Sequence, residues 1–506
     1  RAFEDALASV RSELGASHPL RIDGEAVETA EQFTVTSPGD HDLTIGAFAA
    51  GTAADVDRAV EAARRTADDW RATPWSTRVE YARETADRLR DRKFDLAATI
   101  CLENGKSRTE AMADVDEAID FLRFYARELE RNGGYTFDTG EPTPGQHCSN
   151  RLRPYGVFGV VAPFNFPLAI LAGMTAGAVL TGNTAVVKPA SATPSIAHAF
   201  VDALAAAGLP AGVVNLVTGD GASVGRPLVE HPDVDGVAFT GSREVGRRIQ
   251  RTFHDRAKPG PVIAELGGKN AVVVTPSADL DAAAAGTAMG AFSFSGQKCS
   301  ATSRAYVHES VIDSFTERLV AETESLPVGP PWAAETVVSP LIDDRALDRY
   351  VDVCETARRD GTVLTGGTVV DDDALPRGRY VDPTVVADLP HDHELARTEQ
   401  FLPVLTVHPV ASLAEGIDRT NDSEYGLCAG LFSGDAGEIE TWLDRVEAGM
   451  CYVNRARSAT TGALVQAQPF GGWKDSGTTG KFAGGYWYLP QFMREQTRTV
   501  VGDVGR

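Results

Sequence analysis

The chain has 506 residues, enough for two or three domains with cores of their own. Its hydrophobic fraction of 43% is ordinary for a globular protein. No apolar run reaches the roughly 18 residues that a membrane span needs. The net charge of −23 argues against nucleic acid or an anionic membrane as a partner.

Lysine is scarce in this sequence. Of 48 basic residues only eight are lysines, which leaves 48 − 8 = 40 arginines. An excess of surface carboxylates with few lysines indicates adaptation to high salt, where screening relieves the repulsion between like charges. The alternative is an ordinary acidic enzyme.

The six cysteines lie far apart, without a CxxC pair or a Cys/His cluster of zinc spacing. Among the ten histidines, His391 and His393 are interpreted as a surface pair in an acidic loop. The first residues, RAFEDALASVRSEL, are typical of an acidic amphipathic helix and lack the pattern of a signal peptide. We therefore expect a reduced, cytoplasmic protein with no structural metal.

Residues 52–131 are predicted to be mainly helical, because apolar residues recur at intervals of three and four. Thr52 is a candidate N-cap of the first helix, and a glycine pair after Asn132 is a candidate stop for the last. Residues 134–150 are rich in Gly, Pro and Thr and show no helical period, which predicts a linker or an extended arm.

From Arg151 onward the pattern alternates between strands and helices. The predicted strands are GVFGVVAP, NTAVVKPA, VVNLVTG, DGVAFTG and PVIAE. This alternation predicts a parallel sheet with helices on both faces. A second α/β unit begins near Gly267, and the tail LPQFMREQTRTVVGD ends in a strand-like run that can join another sheet.

Cys299 lies among small and polar residues in FSGQKCS. A cysteine kept for packing is expected among apolar neighbours. The thiolate is the reactive form, and a nearby positive charge or aligned backbone N–H groups would lower its pKa. Cys299 is therefore a candidate covalent nucleophile, with a buried, inert thiol as the alternative.

Two other side chains have the chemistry that such a nucleophile needs. Glu265, in AELGGKN, follows an apolar strand, and partial burial there would raise its pKa and suit a general base. Asn165, in PFNFP, can donate to a developing oxyanion. The alternatives are a structural carboxylate that binds backbone N–H groups and a simple turn asparagine.

Two glycine-rich turns each follow a strand and open a helix: GDGASVG (219–225) and GSREVG (241–246). The N–H groups of the second turn, with the Ser242 hydroxyl, can hold a pyrophosphate. Tight βα turns are the alternative. Lys188 ends a strand, where ligands bind in doubly wound sheets, and Ser191 lies beside it.

Seven motifs occur in one order along the chain: PFNFP, VVKPAS, FTGSREVG, ELGGKN, GQKCS, EQFLPV and PFGGWKDSG. Together they resemble the signature of the aldehyde dehydrogenase superfamily over nearly the whole chain. The resemblance implies an α/β fold with two doubly wound parallel-sheet domains and a small β oligomerisation arm. It assigns residues 1–133 and 151–266 to NAD(P) binding, 267–455 to catalysis, and 134–150 and 478–506 to the arm and tail.

The resemblance also implies residue roles. Cys299 would attack an aldehyde, Asn165 with the Cys299 N–H would hold the oxyanion, and Glu265 would activate water to hydrolyse the thioester. Glu399 and Phe401 would position the nicotinamide half of the cofactor, although Gln400 departs from the commoner EIFGP pattern of this motif. The residues implied to contact the adenosine and diphosphate are Lys188, Ser191, Gly225, Gly241, Ser242 and Gly246.

The segments GQKCSATSRAYVHE and TTGALVQAQPFGGWKDSGTTGKFAGG resemble the branch of the superfamily that oxidises L-glutamate 5-semialdehyde in proline degradation. By this resemblance Ser300, Gly462 and Ala463 anchor the substrate carboxylate, and Phe166 and Phe470 flank its aliphatic chain. TTGALV as a mere loop is the alternative. Another acidic semialdehyde, such as that of 2-oxoglutarate or succinate, and a non-catalytic relative remain open.

NAD is the expected cofactor, and no metal is expected. Ser191 stands where a glutamate would repel the 2′-phosphate of NADP, so we expect NADP to be tolerated. The arm and tail would pair across a homodimer in this fold, and further assembly of dimers remains open.

Overall fold

The structure of the chain is a computed structural model, which describes residues 1–456 and 464–502. The helices are α1 (Ala2–Ser12), α2 (Ala53–Ala72), α3 (Trp75–Asp91), α4 (Lys93–Asn104), α5 (Arg108–Arg131), α6 (Ala169–Leu180), α7 (Pro194–Ala206), α8 (Arg226–Glu230), α9 (Arg243–His254), α10 (Leu280–Phe292), α11 (Ile312–Glu324), α12 (Asp344–Asp360), α13 (Glu394–Arg397), α14 (Leu413–Asn421) and α15 (Ala436–Arg445).

The strands are β1 (Ala16–His18), β2 (Leu20–Ile22), β3 (Glu25–Val27), β4 (Gln32–Ser37), β5 (Asp40–Ala49), β6 (Thr136–Gly140), β7 (Gln146–Pro154), β8 (Val157–Val161), β9 (Thr184–Lys188), β10 (Val214–Leu216), β11 (Gly236–Thr240), β12 (Val262–Glu265), β13 (Asn270–Val274), β14 (Thr302–His308), β15 (Thr362–Thr365), β16 (Thr384–Ala387), β17 (Val404–Val410), β18 (Tyr425–Gly426), β19 (Cys428–Phe432), β20 (Met450–Val453), β21 (Trp473–Lys474) and β22 (Met493–Val501).

Helices α2 to α5 confirm the prediction for residues 52–131. The Asp55 carboxylate accepts hydrogen bonds from the N–H and the hydroxyl of Thr52, which caps α2. At the other end, α5 stops just before Gly133 and Gly134, which both have left-handed backbone conformations.

The first large sheet has the strand order β12-β11-β8-β9-β10-β2-β3. Its first five strands are parallel, as predicted, and helices such as α2 and α6 pack on it. Strands β2 and β3 add an antiparallel edge, and β1, β5 and β4 form a separate small sheet. Neither was predicted. Strands β1, β2 and β3 have three residues each, too few to show an alternating pattern, and the longer β4 and β5 were also missed.

The second large sheet has the order β15-β16-β17-β14-β13-β19-β20 and is parallel except for β15. It begins just after the Gly267-Gly268 turn, as predicted. The carboxyl ends of β8, β9, β11 and β12 and the turn before β13 bring the residues singled out from the sequence into one region.

A third sheet, β22-β7-β6, is the arm. Strand β22 pairs antiparallel with β7 along its whole length, and Phe137, Val500 and Val501 leave apolar surface exposed on the arm. Only part of residues 478–506 joins it, because Leu489 and Phe492 are buried in the hydrophobic cluster that also contains residues of β8 and β9. No helix in the described ranges has the length and hydropathy to cross a bilayer.

Candidate active site

The backbone before Cys299 makes an unusual turn. After α10, Phe294, Ser295 and Gly296 all have left-handed conformations, with φ of 53°, 52° and 64°. Such a conformation is costly for Phe and Ser and persists only where the surroundings enforce it. A Cβ at Gly296 would lie 2.3 Å from the Leu402 carbonyl oxygen, so no larger residue fits there.

The Gln297 side chain stabilises this turn. Its amide donates to the carbonyl oxygens of Phe294 and Pro340 at 3.3 and 3.2 Å, and its oxygen accepts the Ile342 N–H at 2.9 Å. All of these groups are removed from solvent, so breaking the set would leave polar atoms buried without partners. The nucleophile therefore sits on a preorganised loop.

Asn270, at the start of β13, holds the loop from the other side. Its Nδ2 donates to the carbonyl oxygens of Cys299 at 2.7 Å and Ala301 at 2.8 Å. Its Oδ1 accepts the N–H of Cys428 at 2.9 Å. One buried carboxamide thus joins the nucleophile to β19.

Two cavities meet at Cys299. The larger, of about 1010 Å³, is lined by Asn165, Gly241, Ser242, Glu399 and Phe401, among others. The smaller, of about 580 Å³, is mainly apolar and is lined by Glu117, Phe166, Glu265, Phe470 and Tyr488, among others. Cys299 lines both cavities, so its thiol can react with a molecule in one cavity while a second molecule occupies the other.

The Cys299 thiol is held in its neutral form. Burial raises the pKa of this thiol well above its usual range. Negative charge at Cys428, then at Glu399 and Glu265, raises the pKa further, and the Ser300 N–H opposes the rise. Of the two influences expected from the sequence, a backbone N–H works toward the thiolate here.

The lysine next to the nucleophile is already paired. Lys298 binds the Glu110 carboxylate, and both side chains are largely buried. Burial lowers the pKa of Lys298, and Glu110 works in the opposite direction. Glu110 thus offsets the charge of Lys298, which also interacts with Cys299.

A second buried ion pair supports the smaller cavity. Lys106 Nζ lies 2.7 Å from Asp114 Oδ2, and both side chains are fully buried. The same Nζ lies 3.5 Å from the ring centroid of Phe166. A desolvated cation on an aromatic face contributes about 2 kcal/mol, which fixes the Phe166 ring in the cavity wall.

Glu265 ends β12 in the wall of the smaller cavity. Burial raises the pKa of its carboxyl well above the usual range, and the Gly472 N–H only partly opposes this. Its Oε2 is buried and has no hydrogen-bond partner among the described residues. A structural carboxylate would have its oxygens satisfied, so this geometry favours the general-base interpretation.

Asn165 lies in the connection between β8 and α6 and is 3% exposed. It lines the larger cavity together with Cys299. The carbonyl of the preceding Phe164 accepts a 2.6 Å hydrogen bond from Asn104, which holds this connection in place. The Asn165 amide can therefore donate a hydrogen bond to a substrate oxygen bound beside the Cys299 thiol.

A third cavity, of about 850 Å³, adjoins the larger one and is lined by Lys188, Gly225, Gly241 and Ser242. Burial lowers the pKa of Lys188 to about 8. Its Nζ donates to the Pro189 carbonyl at 2.7 Å and makes no ion pair within the described ranges. A buried ammonium with spare donors fits ribose hydroxyls or a phosphate.

The neighbouring turns are also open to a ligand. The Ser242 hydroxyl makes no cap hydrogen bond to α9, so the amino end of this helix opens on the cavity. A Cβ at Gly225 would lie 3.5 Å from the Lys188 side chain, whereas one at Gly246 would lie 2.3 Å from Leu266. The structure thus places Gly246 in helix packing and not in a cavity wall.

Ser191 and Glu399 are hydrogen-bonded within the protein. The Ser191 hydroxyl donates to the Gly219 carbonyl at 2.8 Å. Glu399 accepts the Gly268 N–H at 3.0 Å, and burial raises the pKa of its carboxyl to about 7. Phe401 has a left-handed φ of 59° and stacks edge-on with a second phenylalanine in the cavity wall.

Of the predicted substrate-binding residues, Phe166 and Phe470 line the smaller cavity. Ser300, the residue after Cys299, is buried. Gly462 and Ala463 lie outside the described residues. Among residues 1–456 and 464–502, no group of three or more His, Cys, Asp and Glu side chains is arranged to hold a metal.

Sequence reasoning missed Glu117, which projects from α5 into the smaller cavity. Burial raises its pKa to about 8, and the nearby Asp114 adds to the rise. A signal was present, because Asp114 and Glu117 fall on the same helical side as the buried Ala118 and Phe121. An acid on the apolar side of a helix is a candidate functional group.

The sequence matches the profile of the aldehyde dehydrogenase family over residues 26–498, and the chain belongs to that family. The 1-pyrroline-5-carboxylate dehydrogenase of Bacillus pumilus (strain SAFR-032) is 41% identical over 505 residues, covering 98% of this chain and 95% of that protein. A second relative, 1-pyrroline-5-carboxylate dehydrogenase 2 of Bacillus subtilis (strain 168), is 40% identical over 504 residues with the same coverage.

Solved structures agree with these relatives. A crystal structure of 1-pyrroline-5-carboxylate dehydrogenase from Thermus with bound NAD has a TM-score of 0.94 and 35% identity, covering 99% of this chain and 96% of that one. The predicted family, the predicted fold class and the prediction of an aldehyde-oxidising enzyme are confirmed.

A substitution at Gly268 tests whether the position of the loop that carries Cys299 affects turnover. A Cβ at this position would lie 2.4 Å from the Cys299 carbonyl oxygen and 2.8 Å from Asn270 Oδ1. We expect Gly268→Ala to displace the nucleophile and to lower kcat by about 100-fold. In the control Gly437→Ala, the new Cβ meets only the Asp435 side chain at 3.2 Å, and kcat should not change. A wild-type kcat in the first variant would contradict the role given to this contact.

Proposed function

We propose that this chain oxidises L-glutamate 5-semialdehyde, which equilibrates with 1-pyrroline-5-carboxylate, to L-glutamate with NAD as the cofactor. The observation that carries the proposal is the meeting of two cavities at Cys299, with the carboxyl groups of Glu265 and Glu117 in the smaller one. Full-length relatives named for this activity support it.

Cys299 carries out the first step. Its sulfur attacks the aldehyde carbon, and the thiol proton passes to solvent water as the carbon–sulfur bond forms. The carbonyl oxygen becomes an oxyanion, which the Asn165 amide and the Cys299 N–H stabilise. Both donors are on rigid, buried segments, so little reorganisation is needed.

The larger cavity and the adjoining one would hold the cofactor. When bound, its nicotinamide supplies the acceptor for the hydride that leaves the former aldehyde carbon. Lys188 and Ser242 hold the adenosine and diphosphate end, and Glu399 and Phe401 orient the other end. Ser191 brings no charge against a 2′-phosphate, which is why NADP is also accepted.

Glu265 completes the cycle. It takes a proton from the water that attacks the thioester, the carbon–sulfur bond breaks, and the acid leaves. Its raised pKa makes it a stronger base than an exposed glutamate once it is ionised. The released Cys299 sulfur regains a proton.

The substrate has a carboxylate and an ammonium group beyond the reacting aldehyde. Ser300, Gly462 and Ala463 bind the carboxylate, and Phe166 and Phe470 flank the aliphatic chain. Glu117 is the partner for the ammonium, because its carboxyl lies in the cavity and an added cation would offset the burial that raises its pKa.

We also propose the domain roles given by the resemblance, a cytoplasmic location, and a homodimer or larger assembly formed through the arm. The exposed Phe137, Val500 and Val501 support assembly at the arm. The acidic, lysine-poor composition supports function at high salt.

A substrate panel tests the proposed function directly. It comprises 1-pyrroline-5-carboxylate, succinate semialdehyde and 2-oxoglutarate semialdehyde, each with NAD and NADP at high and low salt. We expect the highest kcat/KM for 1-pyrroline-5-carboxylate with NAD. A higher value for an aldehyde without the ammonium group would reject the proposed substrate, and a strong preference for NADP would reject the choice of NAD.

The role of Glu265 predicts a kinetic signature. In Glu265→Gln the thioester should form but hydrolyse slowly, so rapid mixing should show a burst of up to one NADH per site followed by slow turnover. Cys299→Ala should show no burst, and Glu61→Gln, an exposed residue of α2, should behave as wild type. Loss of the burst in Glu265→Gln would indicate that Glu265 acts before hydride transfer.

The role of Glu117 predicts a change in selectivity. Glu117→Gln keeps the side-chain shape but removes the charge, so kcat/KM for glutamate semialdehyde should fall about tenfold or more. The value for succinate semialdehyde, which lacks the ammonium, should not fall. Asp116→Asn is the control, since Asp116 is exposed on the same helix and pairs with Lys93. An equal loss of kcat/KM for both substrates would indicate that Glu117 supports the fold and does not select the substrate.

A further inference from the structure

A second cysteine lies in the wall behind the nucleophile. Cys428 is the first residue of β19 and is 4% exposed. With Leu427 and Met450 it forms a small apolar cluster, and Cys299 and Phe470 pack against this cluster. The proposed reaction uses Cys299 and makes no use of Cys428.

The backbones of the two cysteines are held together by one side chain. The Asn270 carboxamide donates to the Cys299 carbonyl oxygen at 2.7 Å and accepts the Cys428 N–H at 2.9 Å. A single amide group therefore spans the space between them. Both side chains also belong to the same small cluster, in which Cys299 packs against the group that contains Cys428.

The influences on the pKa of the Cys299 thiol agree with a shared cluster for the two cysteines. After burial, charge at Cys428 is the largest influence on the pKa of the Cys299 thiol, ahead of Glu399 and Glu265. This order agrees with the placement of both cysteines at one cluster.

We propose that Cys428 is a resolving cysteine, which forms a disulfide with Cys299 after a peroxide has oxidised the nucleophile. Cys299 is the accessible member of the pair, since it lines both cavities. Cys428 is buried and lines neither cavity.

The chemistry balances with a hydroperoxide as the oxidant. The Cys299 sulfur attacks the O–O bond, which breaks to give a sulfenic acid and, from hydrogen peroxide, water. The Cys428 sulfur then attacks the Cys299 sulfur, so that the S–S bond forms and the S–O bond breaks. The oxygen leaves as water with the Cys428 proton. Two thiols and one hydrogen peroxide thus become one disulfide and two waters.

Such a disulfide would protect the enzyme. A sulfenic acid that meets no second thiol can be oxidised further to a sulfinic acid, which ordinary thiols do not reduce. A disulfide blocks the nucleophile but is reversed by a dithiol. The chain would lose activity during oxidation and regain it afterwards.

Cys451 supplies a matched control. It lies on β20, beside β19, where Cys428 is paired with Met450 and Cys451 with Ala429. Successive residues of a strand face opposite sides, so the Cys451 thiol points away from the cluster, toward the Ala448 carbonyl oxygen at 3.6 Å. Removing it should not affect a Cys299–Cys428 disulfide.

The test is hydrogen peroxide treatment of the full chain, followed by proteolysis without reductant and mass spectrometry. We expect a peptide pair that joins Cys299 to Cys428 in wild type and in Cys451→Ala, but not in Cys428→Ala or Cys428→Ser. Wild type should regain at least about tenfold more activity with dithiothreitol than the Cys428 variants, whose Cys299 becomes sulfinic.

A Cys299 sulfinic acid beside a Cys428 thiol in treated wild type would overturn the proposal. So would equal recovery in wild type and in both Cys428 variants. The peptide map needs no substrate, so it remains informative even if the proposed substrate is wrong.

Discussion

One buried carboxamide, that of Asn270, holds the reacting part of the molecule together. It contacts the backbone at Cys299, Ala301 and Cys428, and so ties the nucleophile loop to β13 and β19 of the second sheet. Each such bond contributes about 1 kcal/mol net, but leaving its buried partners unpaired costs more. The left-handed turn at Phe294 and Ser295 is tolerated because these contacts and those of Gln297 enforce it.

Charge around this loop is arranged to keep the thiol neutral at rest. Four of the eight lysines, Lys106, Lys188, Lys269 and Lys298, are buried around the site. In a chain that otherwise uses arginine, these lysines mark sites where a compact cation is needed. Lys106 and Lys298 are paired with acids of α5. Lys269 donates to Gln400 in the larger cavity, and Lys188 retains donors for a ligand.

Much of this could be predicted from the sequence, and the exceptions have physical causes. The alternating β-α pattern predicted both large sheets, and the family resemblance that the motif order carries implied that Cys299, Glu265 and Asn165 act at one site. Glu117 and Cys428 were not predicted to lie at the site, because each is far from Cys299 along the chain and only folding brings them together. The ion pair of Lys298 with Glu110 was also not predicted, because it is a tertiary contact.

The central claim is that Cys299 carries the substrate as a thioester which Glu265 then hydrolyses. The most direct measurement is the mass of Glu265→Gln after incubation with 1-pyrroline-5-carboxylate and NAD, with peptide mapping of the adduct. The account predicts one glutamyl group per chain, attached to Cys299. An adduct on another residue, or NADH formation with no adduct at Cys299 under single turnover, would contradict it.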